Sequence, residues 1–491
     1  MKVNVKKLNG NSEPLDIGKI LKWGEWACAD SPNVSFESIL AATEASFYNG
    51  VETAEINLAI CTQCEIMAMV SAQEEDYQLV EEYTHIARNL YIPTLLKKSN
   101  YFQSKYLTSD DILEGGEFKL TDTNIVPLPR YKLKSIIRLG VELDTYDPAL
   151  LDGSISDELF EYADSLLDYS YMNNLKFGGM RQFEGKYLRR IDGYLLEDPL
   201  QLQLLVALAA VRSDITFHPN CKTIEGQKEA LENYYRLNRN VEQNLPTPFL
   251  LCFRTNSKTY DSCCLVDMGD TNPSIRATQT VIGEATEAGA GLGVNMGRIR
   301  SKGTRFKKMG KHQGLLGYLG LSSKNLKANN QESRGGSGTI NVPIWTRDFY
   351  DLVMLKDVTG VEGENRYRHL DYCFSFSMYL VEKIRKNEKI LLASPHTLLP
   401  SGKTIYEAFF TNFPEGGYDD SEFIAFCEEK LKDPNIPYVN NENSGTGKAG
   451  SFAYTYALDM FLTLCRQMIN TGRIYTFNAT HVNNHSSFLS P

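Results

Sequence analysis

Two adjacent cysteines, Cys263 and Cys264, lie in the segment DSCCLVDMGD at residues 261–270. Thiols can serve as a redox couple, as metal ligands or as small apolar core residues. The segment has the composition of a strand, in which successive side chains point to opposite faces, so the two thiols cannot both face one site. A disulfide between neighbouring residues is strained, so they are not a redox couple with each other. At most one is functional, and its partner must lie elsewhere.

Three other motifs favour structural interpretations, and no metal site is predicted. CTQC at Cys61–Cys64 has half the spacing of a zinc site, but no second pair accompanies it and its helical context favours core packing. GAGLG at residues 289–293 follows a helical pattern rather than a strand, which argues against a dinucleotide-binding loop. NSGTGKAG at residues 443–450 lacks the first glycine and the Ser or Thr of a phosphate-binding loop, and it is interpreted as a turn.

Two segments are candidates for binding an anion. RGGSGT, from Arg334 to Thr339, combines glycines that allow close backbone approach with an arginine suited to phosphate or to stacking on a base; a surface loop is the alternative. GVNMGRIRSKGTRFKK runs from a strand into a basic loop, which in an acidic protein suggests an anionic ligand, with a solvated face as the alternative. The cations of this loop include Arg298, Arg300, Arg305, Lys307 and Lys308.

The elements that must position these residues change in character along the chain. Turns at Asn9-Gly10 and Asp192-Gly193 predict two hairpins, and most of the first 245 residues have helical patterns, one of them with Thr53 as its expected N-cap. From residue 246, strand-like runs alternate with helical ones, which predicts an α/β fold, either sheet or barrel. The strand-like runs are FLLCF, CCLVDM, GLGVNM, GTINVPIW and YCFSFSMYL, and the helical runs are SIRATQTVIGEATEA, RDFYDLVMLKDV, DSEFIAFCEEKLK and AYTYALDMFLTLCRQMIN.

Composition excludes several classes of function. The chain has 491 residues, 42% of them hydrophobic, and a formal net charge of −10, which argues against a nucleic-acid surface. The apolar run LLVALAAV is far shorter than a membrane span, and the first residues lack the apolar core of a signal peptide. Ten cysteines without a spacing pattern do not form a disulfide scaffold, so a cytoplasmic protein is expected. The length of the chain predicts two or three domains.

Six segments, in order, strongly resemble the large, catalytic subunit of class I ribonucleotide reductase. They are LPTPFLLCFRTNSKTYDSCCLVDMGD, GAGLGVNMGRIRSKG, ESRGGSGTINVPIW, LKDVTGVEGENRYRHLDY, SPHTLLPSGKTIYEAFF and TGRIYTFNATHVNNHSSF. KKLNGNSEPLDIGKI and FYNGVETAEI resemble the family's ATP-cone, and QFEGKYLRR its helical domain. The resemblance implies an ATP-cone at 1–95, a mainly helical domain at 96–245, and the first part of a ten-stranded α/β barrel at 246–491, incomplete in this chain.

The reaction implied is the radical replacement of the 2′-hydroxyl of a ribonucleoside diphosphate by hydrogen, for DNA synthesis. Two thiols supply the two electrons by closing a disulfide. Cys263 falls on the position of the first of these thiols, and Thr247, Ser262 and Gly291 fall on substrate-binding positions. Because strict strand alternation would turn Ser262 away from Cys263, the backbone there is expected to be irregular, as at the start of a strand.

The resemblance also implies two regulatory sites, which bind ATP and deoxynucleoside triphosphates. Asp270, Arg300 and Lys307, which replaces an expected Arg, fall on the specificity site, and Arg334 falls on the loop that relays effector identity. The residues that match the ATP-cone are Lys7, Glu13, Lys19 and Thr53. Leu8, Asn57 and roughly Pro93 depart from it, where the family often has Arg and His residues that read adenine nucleotide.

Essential parts of the family's reaction lie outside these residues. In the family, the segment matching HVNNHSSFLSP precedes a loop with the radical cysteine and a glutamate base, and the second reducing cysteine follows later. We therefore expect a split subunit completed by a second polypeptide, inactivity of this chain alone, and a radical-generating small subunit as partner. A large-subunit dimer and a thioredoxin- or glutaredoxin-type reductant are also implied. The alternatives are a truncated or intein-interrupted product, a class II enzyme with cobalamin, and a non-catalytic nucleotide-binding regulator.

Overall fold

The computed structural model describes residues 3–113, 118–119, 125–126, 128–257, 259–306, 310–329, 336–357, 366–414, 416–443 and 452–486. The chain divides into two compact units, Met1–Tyr260 and Asp261–Pro491. Each has its own hydrophobic core.

The first unit begins with a small sheet and continues mainly as helices. The predicted hairpin at Asn9-Gly10 is confirmed: strands β1 (Asn4–Lys6) and β2 (Ser12–Pro14) are antiparallel, and β3 (Val51–Glu52) joins β1 in parallel. Gly10 has a φ of 85°, a conformation that glycine adopts without steric cost. The helices of this part are α1 (Ile17–Ala27), α2 (Phe36–Thr43), α3 (Thr53–Gln73) and α4 (Tyr77–Tyr106).

Helices α3 and α4 pack along each other and carry much of this core. Cys61 and Cys64 on α3 are fully buried, which confirms the core interpretation of CTQC. The expected N-cap at Thr53 is wrong: Glu52 is the cap and forms a reciprocal capping box with Glu55, so Thr53 is the first helical residue. Helix α4 runs without interruption through residue 95, so the boundary between the cone and the helical domain stays a prediction.

The rest of the first unit is helical except for two short strand pairs. The hairpin predicted at Asp192-Gly193 is confirmed. Its strands are β6 (Arg190–Ile191) and β7 (Tyr194–Leu195), after β4 (Phe118–Lys119) and β5 (Ile125–Val126). The helices are α5 (Leu133–Glu142), α6 (Asp157–Ser165), α7 (Phe177–Gln182), α8 (Pro199–Phe217), α9 (Ile224–Arg239) and α10 (Thr247–Cys252).

Helix α8 is long and apolar enough to cross a membrane by length and composition. However, 56% of its apolar window is buried inside the unit, as in the central helix of a globular core. Leu204, Leu205 and Leu208 on this helix are fully buried, so its apolar character is explained by packing.

A fully buried ion pair anchors the segment that follows α10. The Nε of Arg254 donates to Glu197 Oε2 at 2.8 Å, and both side chains are 0% exposed. The Tyr146 hydroxyl donates to the same oxygen at 2.6 Å, and the Arg189 backbone N–H donates to Glu197 Oε1 at 3.0 Å. Because a charge buried without a partner is strongly destabilising, this network holds the segment in one conformation.

The second unit is built on a five-stranded parallel sheet in the order β16-β13-β12-β9-β8. The strands are β8 (Cys263–Asp267), β9 (Gly291–Asn295), β10 (Arg305–Phe306), β11 (Gly310–Lys311), β12 (Gly338–Pro343), β13 (Asp371–Phe376), β14 (Lys389–Leu392), β15 (Ala453–Tyr456) and β16 (Ile474–Asn478). The helices are α11 (Asn272–Glu287), α12 (Leu316–Ala328), α13 (Phe349–Val353), α14 (Met378–Lys386), α15 (Ile405–Phe409), α16 (Ser421–Leu431), α17 (Ala457–Thr471) and α18 (Ala479–Asn484).

The two faces of this sheet differ. Alternate residues of four strands, such as Leu292, Ile340, Phe374 and Ile474, are buried in the core of the unit. The opposite face, which we call the open face, is uncovered along β8, where Leu265 is 87% exposed. The open face carries Cys263, Leu265, Asp267, Asn295, Asn341, Cys373 and Tyr475.

Three of the expected elements are wrong in whole or in part: MYL, the end of the expected strand YCFSFSMYL, begins helix α14. FLLCF forms most of helix α10 instead of a strand, and AYTY at 453–456 forms strand β15 instead of the start of a helix. Strand β15 pairs antiparallel with β14. The predicted α/β alternation is confirmed elsewhere, with CCLVD, GLGVN, GTINVP and DYCFSF as parallel strands.

Candidate functional site

The first cysteine of the pair lies at the start of the edge strand β8. Cys263 is exposed on the open face, whereas Cys264 is half-buried and packs against the core on the other face. The predicted alternation of the two thiols is therefore confirmed. Cys263 is accessible to a small molecule or to another thiol, and Cys264 is in the position of an ordinary apolar residue.

Ser262 lies immediately before the strand, which confirms the irregular backbone expected there. Its Oγ is 3.9 Å from Cys263 Sγ, so the two side chains lie together although they are consecutive in sequence. The Ser262 carbonyl accepts a hydrogen bond of 2.7 Å from the Gly291 N–H. Serine and thiol are thus held at the same end of the open face.

Gly291 is directly opposite Cys263 in the parallel ladder between β8 and β9. A Cβ at Gly291 would be 3.5 Å from the Ser262 carbonyl oxygen and 3.9 Å from that of Ser337, which are ordinary contacts. Packing within the chain therefore does not require glycine here. A site that brings a ligand against the backbone would require it.

Thr247, the remaining predicted substrate-binding residue, lies in the first unit. It is the first residue of α10, and its Oγ1 is 3.4 Å from the Tyr187 hydroxyl. The structure thus brings together Ser262, Cys263 and Gly291 within one unit and describes Thr247 in the other.

A polar network lies at the carboxyl ends of the strands, and the sequence patterns did not indicate it. Asn295 Nδ2 donates to Asp267 Oδ1 at 2.6 Å and to the Tyr406 hydroxyl at 2.5 Å. Arg298 Nε donates to Asp267 Oδ2 at 2.8 Å, and the guanidinium lies over the Tyr406 ring. Strands β8 and β9 each end in a polar residue on the open face, Asp267 and Asn295. Because ligands often bind at the carboxyl ends of parallel strands, these two residues could have indicated the network from the sequence.

The two residues predicted to bind the specificity effector are in direct contact. Arg300 Nε donates to Asp270 Oδ2 at 2.7 Å, and the Arg300 backbone N–H donates to Asp270 Oδ1 at 3.3 Å. Their side chains are only 14% and 11% exposed. The pairing orients the guanidinium and neutralises the carboxylate in a partly desolvated position, where charge-assisted hydrogen bonds are strong.

Two histidines at this pair were not predicted. His396 Nδ1 is 3.5 Å from Asp270 Oδ2, and burial together with the Arg300 guanidinium lowers the pKa of His312. His396 follows strand β14 in the run SPHT, and only the fold brings it beside Asp270. Lys307 and Arg334, also predicted here, lie outside the described residues.

In the first unit, three of the four predicted cone residues form one ionic cluster. Lys7 Nζ is 2.8 Å from Glu13 Oε1, and Lys19 Nζ is 3.5 Å from the same oxygen. The Lys7 ammonium holds the pKa of the Glu13 carboxyl below its usual range. These residues and Thr53 line a cavity of about 670 Å³ between the β1–β2 hairpin and helices α1, α3 and α4, which we call the hairpin cavity.

Within the described ranges, no three His, Cys, Asp or Glu side chains are grouped so that they could hold a metal ion.

Known proteins resemble the chain along its whole length. Residues 261–490 match the family model described as the barrel domain of ribonucleotide reductase. The ribonucleoside-diphosphate reductase subunit alpha of Buchnera aphidicola subsp. Schizaphis graminum is 28% identical over 494 residues, which cover 99% of this chain and 55% of the relative. The ribonucleoside-diphosphate reductase 1 subunit alpha of Escherichia coli K12 is 27% identical over 488 residues, which cover 99% of this chain and 55% of the relative. The ribonucleoside-diphosphate reductase subunit alpha of Enterobacteria phage T4 is 26% identical over 492 residues, which cover 99% of this chain and 56% of the relative.

This chain spans about half the length of these curated relatives. The similarity covers both units and includes the segment with Cys263. Residues 261–490 therefore correspond to the barrel domain of ribonucleotide reductase, and the chain as a whole is similar to ribonucleotide reductase alpha subunits.

Proposed function

We propose that the chain is a component of a ribonucleoside-diphosphate reductase large subunit and supplies one of its two reducing thiols. The observation that carries the proposal is the position of Cys263, exposed at the start of an open sheet face beside Ser262 and opposite Gly291. In this proposal Ser262, Gly291 and Thr247 contact a ribonucleoside diphosphate. The Cys263 thiol and a second thiol are oxidised to a disulfide, the 2′-carbon gains hydrogen, and the hydroxyl leaves as water.

We further propose that a second polypeptide completes the site with the radical cysteine, its glutamate base and the second reducing thiol. In support, β8 and β16 are the two edges of a parallel sheet, and Leu265 and Tyr475 on them are 87% and 43% exposed. Unpaired strand edges beside exposed apolar side chains are aggregation-prone unless another chain covers them. Completion into a ten-stranded barrel would pair both edges and enclose the open face.

Regulation is proposed at two sites. Asp270 and Arg300, with Lys307 and Arg334, would bind a deoxynucleoside triphosphate that sets substrate specificity. Lys7, Glu13, Lys19 and Thr53 would bind a nucleotide in the hairpin cavity, as part of a cone at 1–95 ahead of a helical domain at 96–245. The remaining partners proposed are a radical-generating small subunit, a second copy of the large subunit and a thioredoxin- or glutaredoxin-type reductant, in the cytoplasm.

A reconstitution assay tests the proposal. The purified chain, supplied with a dithiol reductant, ATP, a ribonucleoside diphosphate and the small subunit, should yield no deoxynucleotide. Addition of the complementary polypeptide should restore turnover, and the Cys263→Ser variant should not turn over repeatedly in the same mixture. Repeated turnover by the isolated chain, or by the Cys263→Ser complex, would contradict the proposal. A purely regulatory protein would bind effectors but would show no dependence on Cys263.

A further inference from the structure

We propose that His396 contacts the effector at the specificity site and takes up a proton when a triphosphate binds there. The inference rests on the specificity site proposed above at Asp270 and Arg300, and it adds a residue to which neither the sequence motifs nor the resemblance assigned a role. It follows from three properties of the cluster: which side chain is accessible, how that side chain is held, and which charges surround it.

His396 is the accessible member of the cluster. Asp270 and Arg300 satisfy each other through two hydrogen bonds, and their side chains are only 11% and 14% exposed. The side chain of His396 is 46% exposed, and its Nδ1 lies 3.5 Å from Asp270 Oδ2. Of these three polar side chains, the imidazole therefore offers a ligand the largest accessible fraction.

The segment that carries His396 is fixed on both sides of it. Ser394 Oγ accepts from the Ser301 N–H at 3.0 Å, and the Ser394 carbonyl accepts from the Thr397 N–H at 2.9 Å. The Thr397 carbonyl accepts from the Ile405 N–H at 2.7 Å, at the start of helix α15. Because Ser301 directly follows the arginine of the pair, this segment is tied to the backbone of the proposed effector site. A side chain positioned in this way loses little conformational freedom when it binds a ligand.

The described side chains that interact with Asp270 give no surplus positive charge. The Arg300 guanidinium balances the carboxylate, so the pair has no net charge. The neighbouring His312 is held in its neutral form, because burial lowers its pKa and its Nδ1 accepts from a backbone N–H at 3.0 Å. On the side of the segment next to α15, Lys403 is paired with Glu422 at 3.5 Å. Protonation of the remaining imidazole would supply the positive charge that a triphosphate favours.

The orientation of the imidazole determines how it meets a ligand. The nitrogen that faces Asp270 is Nδ1, so Nε2 is the nitrogen available to a ligand. A neutral ring with its proton on Nδ1 presents a lone pair at Nε2, which disfavours a phosphate oxygen, whereas a ring protonated at both nitrogens donates an N–H to it. Binding of a triphosphate should therefore draw a proton from solvent onto Nε2. Affinity should rise as pH falls through the range in which histidine gains its charge.

Calorimetric titration of the full chain with dTTP, at about pH 6 and about pH 8, tests the inference. His396→Gln removes the charge but keeps a polar side chain. It should weaken binding about five- to tenfold at the lower pH and less than about twofold at the higher pH. Comparison with the wild type at the same pH cancels the titration of the ligand itself.

Two further variants serve as controls. His396→Lys is charged at both pH values, so its affinity should exceed that of His396→Gln by a similar factor at both. His85→Gln is the matched control, because His85 also lies near a carboxylate, 3.8 Å from Glu81, and its side chain is 39% exposed. His85 does not line the hairpin cavity, so this variant should bind dTTP as the wild type does at both pH values.

The proposed specificity site is tested in the same titrations by Arg300→Ala. Loss of affinity in Arg300→Ala together with normal binding by His396→Gln at both pH values would overturn the role of His396 and leave the site intact. An equal loss at both pH values in His396→Gln would overturn the proton uptake and with it the inference. Binding that neither Arg300→Ala nor His396→Gln weakens would overturn both the inference and the site.

Discussion

Removal of the Arg300 side chain is expected to weaken binding of a deoxynucleoside triphosphate at the specificity site. The Asp270 carboxylate orients the guanidinium through a 2.7 Å contact to Nε, and both side chains are nearly buried. A hydrogen bond between charged groups in such a position contributes about 1.5–3 kcal/mol, and 1.4 kcal/mol corresponds to a factor of ten. Arg300→Ala should therefore lower affinity about 10- to 150-fold.

Arg298 offers a matched control two residues away. It also pairs with an aspartate, Asp267 at 2.8 Å, but the two side chains are 40% and 49% exposed. Exposed ion pairs contribute only about 0–1 kcal/mol, so Arg298→Ala should change affinity less than about fivefold.

Calorimetric titration of each variant with dATP or dTTP measures these changes. Thermal unfolding should be recorded in parallel, because loss of Arg300 leaves the Asp270 carboxylate partly buried without its guanidinium partner and should also lower stability. If Arg300→Ala is folded and binds effector normally, or if Arg298→Ala is the more damaging change, the effector site is wrongly assigned.

Two further predictions concern stability and substrate. Burial raises the pKa of Asp164 to about 6, so the folded state holds a proton that the unfolded state releases near its ordinary value of 3.8, and stability should fall as pH rises from 4 to 6. Asp164→Asn keeps the side-chain oxygen that accepts from the Leu133 N–H. In urea titrations its free energy of unfolding should equal that of the wild type at pH 4 and exceed it by about 1–3 kcal/mol at pH 7. If the two proteins have the same pH dependence of stability, this prediction is contradicted. Gly291→Ala should fold normally, because its Cβ meets no atom closer than 3.5 Å. It should nevertheless raise the KM of the assembled enzyme for ribonucleoside diphosphates. An unchanged KM would show that the substrate does not approach this backbone.

The sequence patterns were sufficient for elements whose periodicity is long or unambiguous. CCLVD and GLGVN are short apolar runs bounded by turn residues, their burial alternates residue by residue in the structure, and their pairing places Cys263 opposite Gly291. The strand prediction for FLLCF was wrong because five residues are too few to distinguish helical from strand periodicity. Pro248, in the first turn of α10, is the sequence signal for a helix here. AYTY failed because its aromatic and β-branched residues favour a strand, although it runs directly into helix α17.

The candidate site was predictable only in part. The opposite orientations of Cys263 and Cys264 follow from local strand geometry. The contact between Asp270 and Arg300, thirty residues apart, and the position of His396 beside them depend on the order of strands in the sheet, which local patterns do not determine. Asn295 and Tyr406 were missed for the same reason, since 111 residues separate them.

The most direct test of the central claim is the identity of the disulfide that Cys263 forms. The assembled enzyme, given one equivalent of ribonucleoside diphosphate and no reductant, should be alkylated, digested and analysed by mass spectrometry. The account predicts that Cys263 is linked to a cysteine that is not among the ten of this sequence, and that Cys264 is alkylated as a free thiol. A disulfide between Cys263 and any of the other nine cysteines, or a Cys263 that stays reduced after turnover, would contradict it.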